Sequence, residues 1–306
     1  MLLNNSNVKS TYKSVDTEEF LDKLFYRPIG YGIAVISKKL RITPNIVTAT
    51  NIFVGVLAGH LFFYQNVTLN LLGVLLLILA ESLDAADGQL ARMTNIHSRY
   101  GKIFDGVAGN LEFVSIYLHL CARFVIVGGT PWIFGIAVIS GLSHSYQSAM
   151  AEYYRNFYLF FTTGKNIGGI DELDEVQKTY NTLSWFKHFS KKILLRLYIN
   201  YTVQQQSLSK SIRELYRYVV YQLNGTVPQK LKVEYAKLNK PMLKYGNILT
   251  TNTRLVILVI AIFWADVLYY FLFELIVLNI LLVYYVVKEE KISRHLLQFI
   301  KEDYKA

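Results

Sequence analysis

The amino-acid sequence predicts an all-α integral membrane protein, a bundle of six transmembrane helices with an amphipathic N-terminal helix in the membrane interface. Hydrophobic residues make up 53% of the 306 residues, more than is usual for a soluble domain. They are concentrated in long runs, and one of these, residues 46–64, contains no Asp, Glu, Lys or Arg. At a rise of about 1.5 Å per residue, such a run crosses a hydrocarbon core of about 30 Å. Clusters of Lys and Arg alternate with connections that lack them, as in multi-pass proteins.

The helices are assigned in chain order from the apolar runs and their ends. Residues 16–26 combine an acidic N-cap with helical apolar spacing, and residues 27–40 are apolar with a cationic end, which suits a helix in the interface. Pro44 ends this segment and starts the first transmembrane helix. The six predicted helices cover residues 46–64, 68–86, 98–122, 131–152 and, for the last two together, 253–287. The predicted domains are a cytoplasmic N-terminal segment with the interfacial helix (1–45), the first four helices (46–152), a basic insertion (153–247), and the last two helices with a tail (248–306).

Basic residues set the predicted orientation, because the cytoplasmic loops of membrane proteins are enriched in Lys and Arg. The connections at 65–69, 126–130 and 266–274 contain neither residue, whereas both termini and residues 153–247 are basic. We therefore expect a multi-pass protein with both termini in the cytoplasm. Residues 153–247 carry 15 Lys and Arg against 6 Asp and Glu, which indicates a cytoplasmic region facing anionic membrane lipid rather than a nucleic-acid-binding domain.

One stretch, DAADGQLARMTNIHSRYGKIFDGVAGN at residues 84–110, places three aspartates between apolar runs. Asp84 and Asp87 are three residues apart, so they lie on one face at the end of the second helix. Gly88 is expected to let the backbone leave that helix or approach a ligand closely. Asp105 lies on the third helix, so three carboxylates can converge near the cytoplasmic end of the bundle. Acids in membrane segments usually mark function, and oxygen ligands without Cys favour Mg²⁺ or Mn²⁺.

Two interpretations of these acids compete. Arg92, Arg99 and Lys102 are close enough in sequence to neutralise them in a structural cluster of salt bridges. The full spacing favours a functional site instead. Asp84-x-x-Asp87-Gly88-x-x-Ala91-Arg92, followed after eight residues by Gly101-x-x-x-Asp105, resembles the signature of the CDP-alcohol phosphotransferases. The segment TPNIVTATNIFVG, before the second helix, is also similar to that family.

The resemblance implies a helical bundle, often a homodimer, that moves a phosphoalcohol group from a CDP-linked lipid or alcohol donor to an acceptor hydroxyl and releases CMP. Carried over by position, the Mg²⁺ or Mn²⁺ ligands would be Asp84, Asp87 and Asp105, and the residues that shape the pocket of the CDP donor would be Gly88, Ala91, Arg92 and Gly101. The active site would face the cytoplasm and serve phospholipid or related lipid synthesis. The acceptor alcohol stays open.

The sequence departs from the family pattern at Gly109. The pattern continues with a fourth aspartate, four residues after the third, that is taken as general base and metal ligand, and a glycine can serve as neither. Glu112, seven residues after Asp105, is the candidate substitute base, and Glu81, one turn before Asp84, is a second candidate. The space at Gly109 could also admit a water molecule, a bulkier acceptor or a carboxylate from the insertion. Alternatively, catalysis has been lost.

Two other functions fit parts of the sequence less well. A non-catalytic family member would bind CDP-lipid or metal and act through its cytoplasmic insertion, whereas a transporter would be expected to show paired broken helices or a repeat. His144, Gln147 and Glu152 could line an acceptor pocket or form hydrogen bonds between helices, and the sequence favours the second role. Asp266 and Glu274 are interpreted as solvated helix ends.

Overall fold

The computed structural model describes residues 8–12, 14–96, 99–166, 170, 173–264 and 266–303, and these ranges are helical with no strand. The helices, in chain order, are α1 (Arg27–Lys39), α2 (Pro44–Leu61), α3 (Val67–Thr94), α4 (Arg99–Ile126), α5 (Ile133–Thr163), α6 (Leu173–Thr182), α7 (Phe189–Ser207), α8 (Lys210–Arg217), α9 (Gln229–Asn239), α10 (Leu243–Ile248), α11 (Thr251–Trp264), α12 (Val267–Leu272) and α13 (Asn279–Asp303). π-helical turns at Asp22–Tyr26, Tyr218–Gln222 and Phe273–Leu278 and a 3₁₀ turn at Lys240–Met242 adjoin them.

Two compact units divide the chain. The first unit consists of Met1–Gly141 and Leu255–Leu272, and the second consists of Leu142–Arg254 and Phe273–Ala306. The first unit has an apolar core of α2, α4 and α11 side chains, including Ala58, Phe62, Ile116 and Leu258. The second unit has an aromatic core built around the second half of α5.

The helix ends follow local chemistry. Pro44 occupies the first turn of α2, where its missing N–H costs no hydrogen bond, and Thr43 before it is extended. The side chain of Asn66 caps α3 by accepting from the backbone N–H of Leu69 at 3.1 Å. At the other end of α3, Asn95 adopts the left-handed conformation, with φ at 53°, that commonly terminates helices.

Helix α3 is longer than the sequence predicts. It continues to Thr94, eight residues beyond the predicted end at 86, so the backbone does not leave the helix at Gly88 and that expectation is wrong. A single glycine lowers helix stability only modestly, and the following residues, QLARM, are good helix formers. Helix α5 likewise continues past the predicted end at 152 to Thr163.

Four stretches within the described residues are long and apolar enough to cross a membrane: Pro44–Leu61, Val67–Thr94, Gln229–Trp264 and Val267–Asp303. They support a multi-pass membrane protein. Helices α4 and α5, at 28 and 31 residues, have the length to cross as well but contain more polar side chains. Six crossings therefore stay a prediction.

Helix α1 packs closely on α3 in the first unit. Their shared core contains Ala34 from α1 and Ala80, Ala86 and Leu90 from α3. At Gly30, an added Cβ would lie 2.8 Å from the carbonyl oxygen of Ser82, so only glycine permits this approach. The contact fixes the N-terminal segment beside the part of α3 that carries the aspartates.

Candidate metal centre

Three carboxylates converge in the first unit, as the motif predicts. One oxygen from each of Asp84 and Asp87 on α3 and Asp105 on α4 lies within 4.8 Å of the other two. Asp84 is exposed, Asp105 half-buried and Asp87 buried. Oxygen ligands at about 2.1 Å from a Mg²⁺ ion lie at most about 4.2 Å apart, so a small contraction would bring all three into one coordination shell. Three negative charges at this separation repel each other, and a cation between them relieves that repulsion.

Asp87 is held by a hydroxyl from α2. The Oγ1 atom of Thr48 donates to Asp87 Oδ2 at 2.6 Å, and Thr48 itself is buried. This bond fixes the carboxylate beside the other two aspartates. Sequence reasoning missed Thr48. Its only signal is its position within the segment TPNIVTATNIFVG that resembles the family's first helix.

Arg92 extends the site along α3. Its guanidinium lies over Gly88, where an added Cβ would come within 3.4 Å of Nη1. The Nε and Nη2 atoms of Arg92 are buried, and neither has a hydrogen-bond partner among the described residues. Two buried donors beside acidic residues suit a phosphate group that arrives together with its metal ion. Ala91 and Gly101, the other small motif residues, are half-buried in α3 and in the first turn of α4.

Gly109 leaves open space one turn after Asp105. It lies within α4 and is half-buried, and an added Cβ there would meet no atom within 4 Å. The position could therefore hold a side chain without moving its neighbours. The glycine is not required by close packing.

Glu112 is buried against the backbone of α2. An added Cβ at Gly55 would lie 2.7 Å from Glu112 Oε2, and Glu112 Oε1 is buried without a hydrogen-bond partner in the described part of the chain. The charge of Glu112 interacts with those of Asp84 and Glu81. Outside the membrane-spanning helices, burial and then the charge of Glu81 raise the pKa of the Tyr26 hydroxyl. The three aspartates, Glu81 and Glu112 thus form one cluster of interacting acidic side chains.

The N-terminal segment forms hydrogen bonds with this part of α3. Gln89 Nε2 donates to Thr11 Oγ1 at 2.9 Å and to the carbonyl oxygen of Arg27 at 3.3 Å. Arg27 forms an ion pair with Glu18 at 2.9 Å, and both charges interact with that of Arg92. Sequence reasoning missed these contacts, because they join residues that are far apart in the chain. The alternative role of Arg99, in an ion pair with the aspartates, falls on a side chain outside the described residues.

Three residues of α5 considered for an acceptor pocket, His144, Gln147 and Glu152, lie in the second unit. Gln147 accepts a hydrogen bond from Arg254, and Glu152 accepts one from Tyr201 at 2.6 Å. These are bonds between helices, which is the role that the sequence favours. The prediction that Glu274 is a solvated helix end is wrong, because this side chain is fully buried. Asp266 is exposed, as expected.

Known proteins resemble the part of the chain that contains these residues. A family model described as CDP-alcohol phosphatidyltransferase matches residues 41–156, a range that contains every motif residue from Asp84 to Asp105. This part of the chain is similar to the CDP-alcohol phosphatidyltransferase family. The relatives that it matches are named for different activities, and no solved structure matches the chain.

Three relatives show the extent of the likeness. An uncharacterized protein of Aquifex aeolicus is 27% identical over 42% of this chain and 66% of its own length. An archaetidylinositol phosphate synthase of Pyrococcus horikoshii is 36% identical over 37% of this chain and 57% of its own. A CDP-diacylglycerol–glycerol-3-phosphate 3-phosphatidyltransferase of Rickettsia typhi is 38% identical over 22% of this chain and 38% of its own. The matched part of the chain thus spans 38 to 66% of the length of these relatives.

Proposed function

We propose that this protein transfers a phosphoalcohol group, a phosphatidyl group in particular, from a CDP-linked donor to an acceptor hydroxyl with release of CMP, in phospholipid or related lipid synthesis. The observation that carries the proposal is the convergence of Asp84, Asp87 and Asp105 within 4.8 Å. The names of several relatives support the donor, because the Rickettsia and Helicobacter pylori proteins are named for CDP-diacylglycerol. Their acceptors differ, glycerol-3-phosphate in one and serine in the other, so the acceptor of this chain stays open.

The three aspartates would hold Mg²⁺ or Mn²⁺, which neutralises charge on a pyrophosphate and on the departing CMP. Thr48 keeps Asp87 in position for this role. Arg92 would donate its two buried N–H groups to phosphate oxygens. Gly88, Ala91 and Gly101 are small enough to let the nucleotide and pyrophosphate approach the helices closely.

Proton transfer is the step at which this chain differs from the family pattern, because Gly109 stands at the position of the general base. In the proposed reaction, the acceptor oxygen forms a bond to the phosphorus that carries the alcohol, and the bond from that phosphorus to CMP breaks. The acceptor proton must leave, and Glu112 is the proposed base. Its buried Oε1 has no hydrogen-bond partner among the described residues, and its charge interacts with that of Asp84. The open space at Gly109 leaves room beside α4 for a water molecule or the acceptor.

We also propose the membrane topology and the oligomeric state. Helices α4 and α5 would complete six crossings, with α1 in the membrane interface and both termini and the site at the cytoplasmic face. The basic residues of 153–247 favour this orientation. We further propose that the protein acts as a homodimer.

The test is metal-dependent release of CMP by the purified protein in lipid nanodiscs. CDP-diacylglycerol would be supplied with Mg²⁺ or Mn²⁺ and with each of glycerol phosphate, inositol, inositol phosphate, serine, an amino alcohol and a lipid hydroxyl. We expect CMP with at least one acceptor and complete loss in Asp87→Asn and Asp105→Asn. Asp174→Asn, a change at an exposed aspartate of α6, is the matched control. Wild-type turnover in either site variant would show that the site is wrongly assigned.

A non-catalytic family member is the second candidate, favoured by the glycine at position 109. It would bind CDP-diacylglycerol with metal but release no CMP with any acceptor. Mass spectrometry of cellular lipids with and without the gene separates the two candidates, since only a transferase changes the lipid profile through its product.

A further inference from the structure

In the second unit, the segment of α9 and α10 runs antiparallel to α13, and the two meet along a buried interface. At one end, Lys230 at the start of α9 forms an ion pair with Asp303 at the end of α13, with 2.6 Å between Nζ and Oδ1. At the other end, an added Cβ at Gly246 would lie 3.0 Å from the hydroxyl oxygen of Tyr285. Between these two ends, the charge of Glu289 on α13 interacts with Tyr235 on α9.

Three buried oxygens lie along this interface without a hydrogen-bond partner among the described residues: Asn239 Oδ1, Glu289 Oε2 and Ser293 Oγ. The exposed fractions of the three residues are 2%, 2% and 0%. Glu289 and Ser293 are four residues apart on one face of α13, and Asn239 shares one face of α9 with Tyr235, which interacts with Glu289. The amide nitrogen of Asn239 donates to the carbonyl oxygen of Tyr235 at 3.1 Å, which leaves the amide oxygen for another ligand.

The neighbouring acid, Glu290, is satisfied within the protein. Its two oxygens accept from the backbone N–H groups of Ser211 at 2.6 Å and Ile212 at 3.4 Å, at the start of α8. Tyr154 also donates to it, at 3.4 Å. Glu289 forms no ion pair with any described residue, and the nearby charge that acts on it is that of Glu290, which repels. Adjacent glutamates thus differ in that only Glu289 lacks a donor.

We propose that Asn239, Glu289 and Ser293 form a binding site for a monovalent cation, Na⁺ or K⁺. All three atoms can accept, so a ligand that satisfies them together must be a cation or supply hydrogen-bond donors. Carboxylate, amide and hydroxyl oxygens are hard ligands that suit an ion of the s block. The site contains one negative charge, which balances one positive charge. Divalent ions are usually held by more carboxylates or by several retained waters.

The site is independent of the proposed transferase activity, because it belongs to the second unit and involves none of the aspartates of α3 and α4. Its expected effect is on stability. A cation that binds the folded protein and not the unfolded chain raises the melting temperature as its concentration rises.

The experiment measures the melting temperature of the purified full-length protein, freed of divalent ions with a chelator, in N-methylglucamine chloride, NaCl or KCl at one ionic strength. We expect NaCl or KCl to raise the melting temperature of the wild type by about 3 °C relative to N-methylglucamine. Glu289→Gln should abolish the difference, and Ser293→Ala and Asn239→Ala should each reduce it. Glu290→Gln is the matched control, and it should lower the melting temperature in every salt but keep the difference.

Two results would overturn the proposal. Equal melting temperatures of the wild type in all three salts would mean that a water molecule or a proton on Glu289 satisfies the oxygens instead. A full salt-specific shift in Glu289→Gln would place the cation elsewhere. If Glu289→Gln does not fold, the shifts of Ser293→Ala and Asn239→Ala decide, and unchanged shifts in both would reject the site.

Discussion

The first and second units each gather charged side chains among apolar helices, but they treat these charges differently. In the second unit, Arg254 and Glu274 are both fully buried and pair at 3.0 Å between Nε and Oε1. Arg254 also donates to two backbone carbonyls and to Gln147, so its charge is satisfied within the protein. In the first unit, Asp84, Asp87 and Asp105 bring three like charges within 4.8 Å, and Asp84 is open to solvent.

The difference separates a structural charge cluster from a binding site. Opposite charges that neutralise each other leave nothing for a ligand to add, and they mainly specify how the helices pack. Like charges that meet at a partly exposed position lower the stability of the empty protein, and a cation restores it. The variants below test the two clusters in the order of their expected effects.

Replacing the proposed base should have the largest effect. Glu112→Gln keeps the shape of the side chain but cannot accept the acceptor proton, so we expect the turnover of CMP release to fall about 10²–10⁴-fold. The measurement is the steady-state rate at saturating donor, with Glu81→Gln, the second candidate base, measured beside it and Asp174→Asn as the control. Equal rates of Glu112→Gln and wild type would exclude Glu112 as the base.

Breaking the buried ion pair of the second unit should affect stability rather than chemistry. Arg254→Met leaves Glu274 buried without its partner, and we expect unfolding to become easier by about 3–5 kcal/mol. The double variant Arg254→Met/Glu274→Gln should recover part of this loss, because no charge stays uncompensated. Denaturant titration in mild detergent measures both. A double variant as unstable as the single one would contradict an ion pair as the source of the effect.

Removing the hydroxyl that holds Asp87 should weaken metal binding about 10–100-fold. Thr48→Val preserves the shape of the side chain and removes the donor to Asp87 Oδ2. Thr50→Val, which removes an exposed hydroxyl two residues away, is the control. The dissociation constant for Mn²⁺ gives the comparison, and equal affinities in Thr48→Val and Thr50→Val would show that the bond does not support the site.

Restoring an acid at position 109 should have the smallest effect. Gly109→Asp has room for its side chain, and we expect turnover to rise about tenfold, within the range of a general base added to a partly competent site. Gly106→Asp is the matched control, because that glycine is also in α4 with no atom within 4 Å of an added Cβ. A similar rise in both variants would assign the gain to helix propensity rather than to position.

The sequence predicts the site better than its surroundings. The spacing from Asp84 to Asp105 places three acids on two successive helices, and local geometry then brings them together. Thr48 with Asp87, and Thr11 with Gln89, lie 39 and 78 residues apart, so no local pattern reports these pairs. The sequence predicts a solvated Glu274 because it lies at the end of the predicted outer connection 266–274, whereas its buried partner, Arg254, lies 20 residues before it. The predicted end of α3 is too early, because Gly88 resembles a helix break although a favourable helical sequence follows it.

The most direct test of the central claim is Mn²⁺ binding, measured by electron paramagnetic resonance on the purified protein without substrate. The account predicts a saturable Mn²⁺ site in the wild type and in Asp174→Asn, and its loss in Asp87→Asn and Asp105→Asn, with all four proteins folded. Wild-type Mn²⁺ affinity in both Asp87→Asn and Asp105→Asn would contradict it.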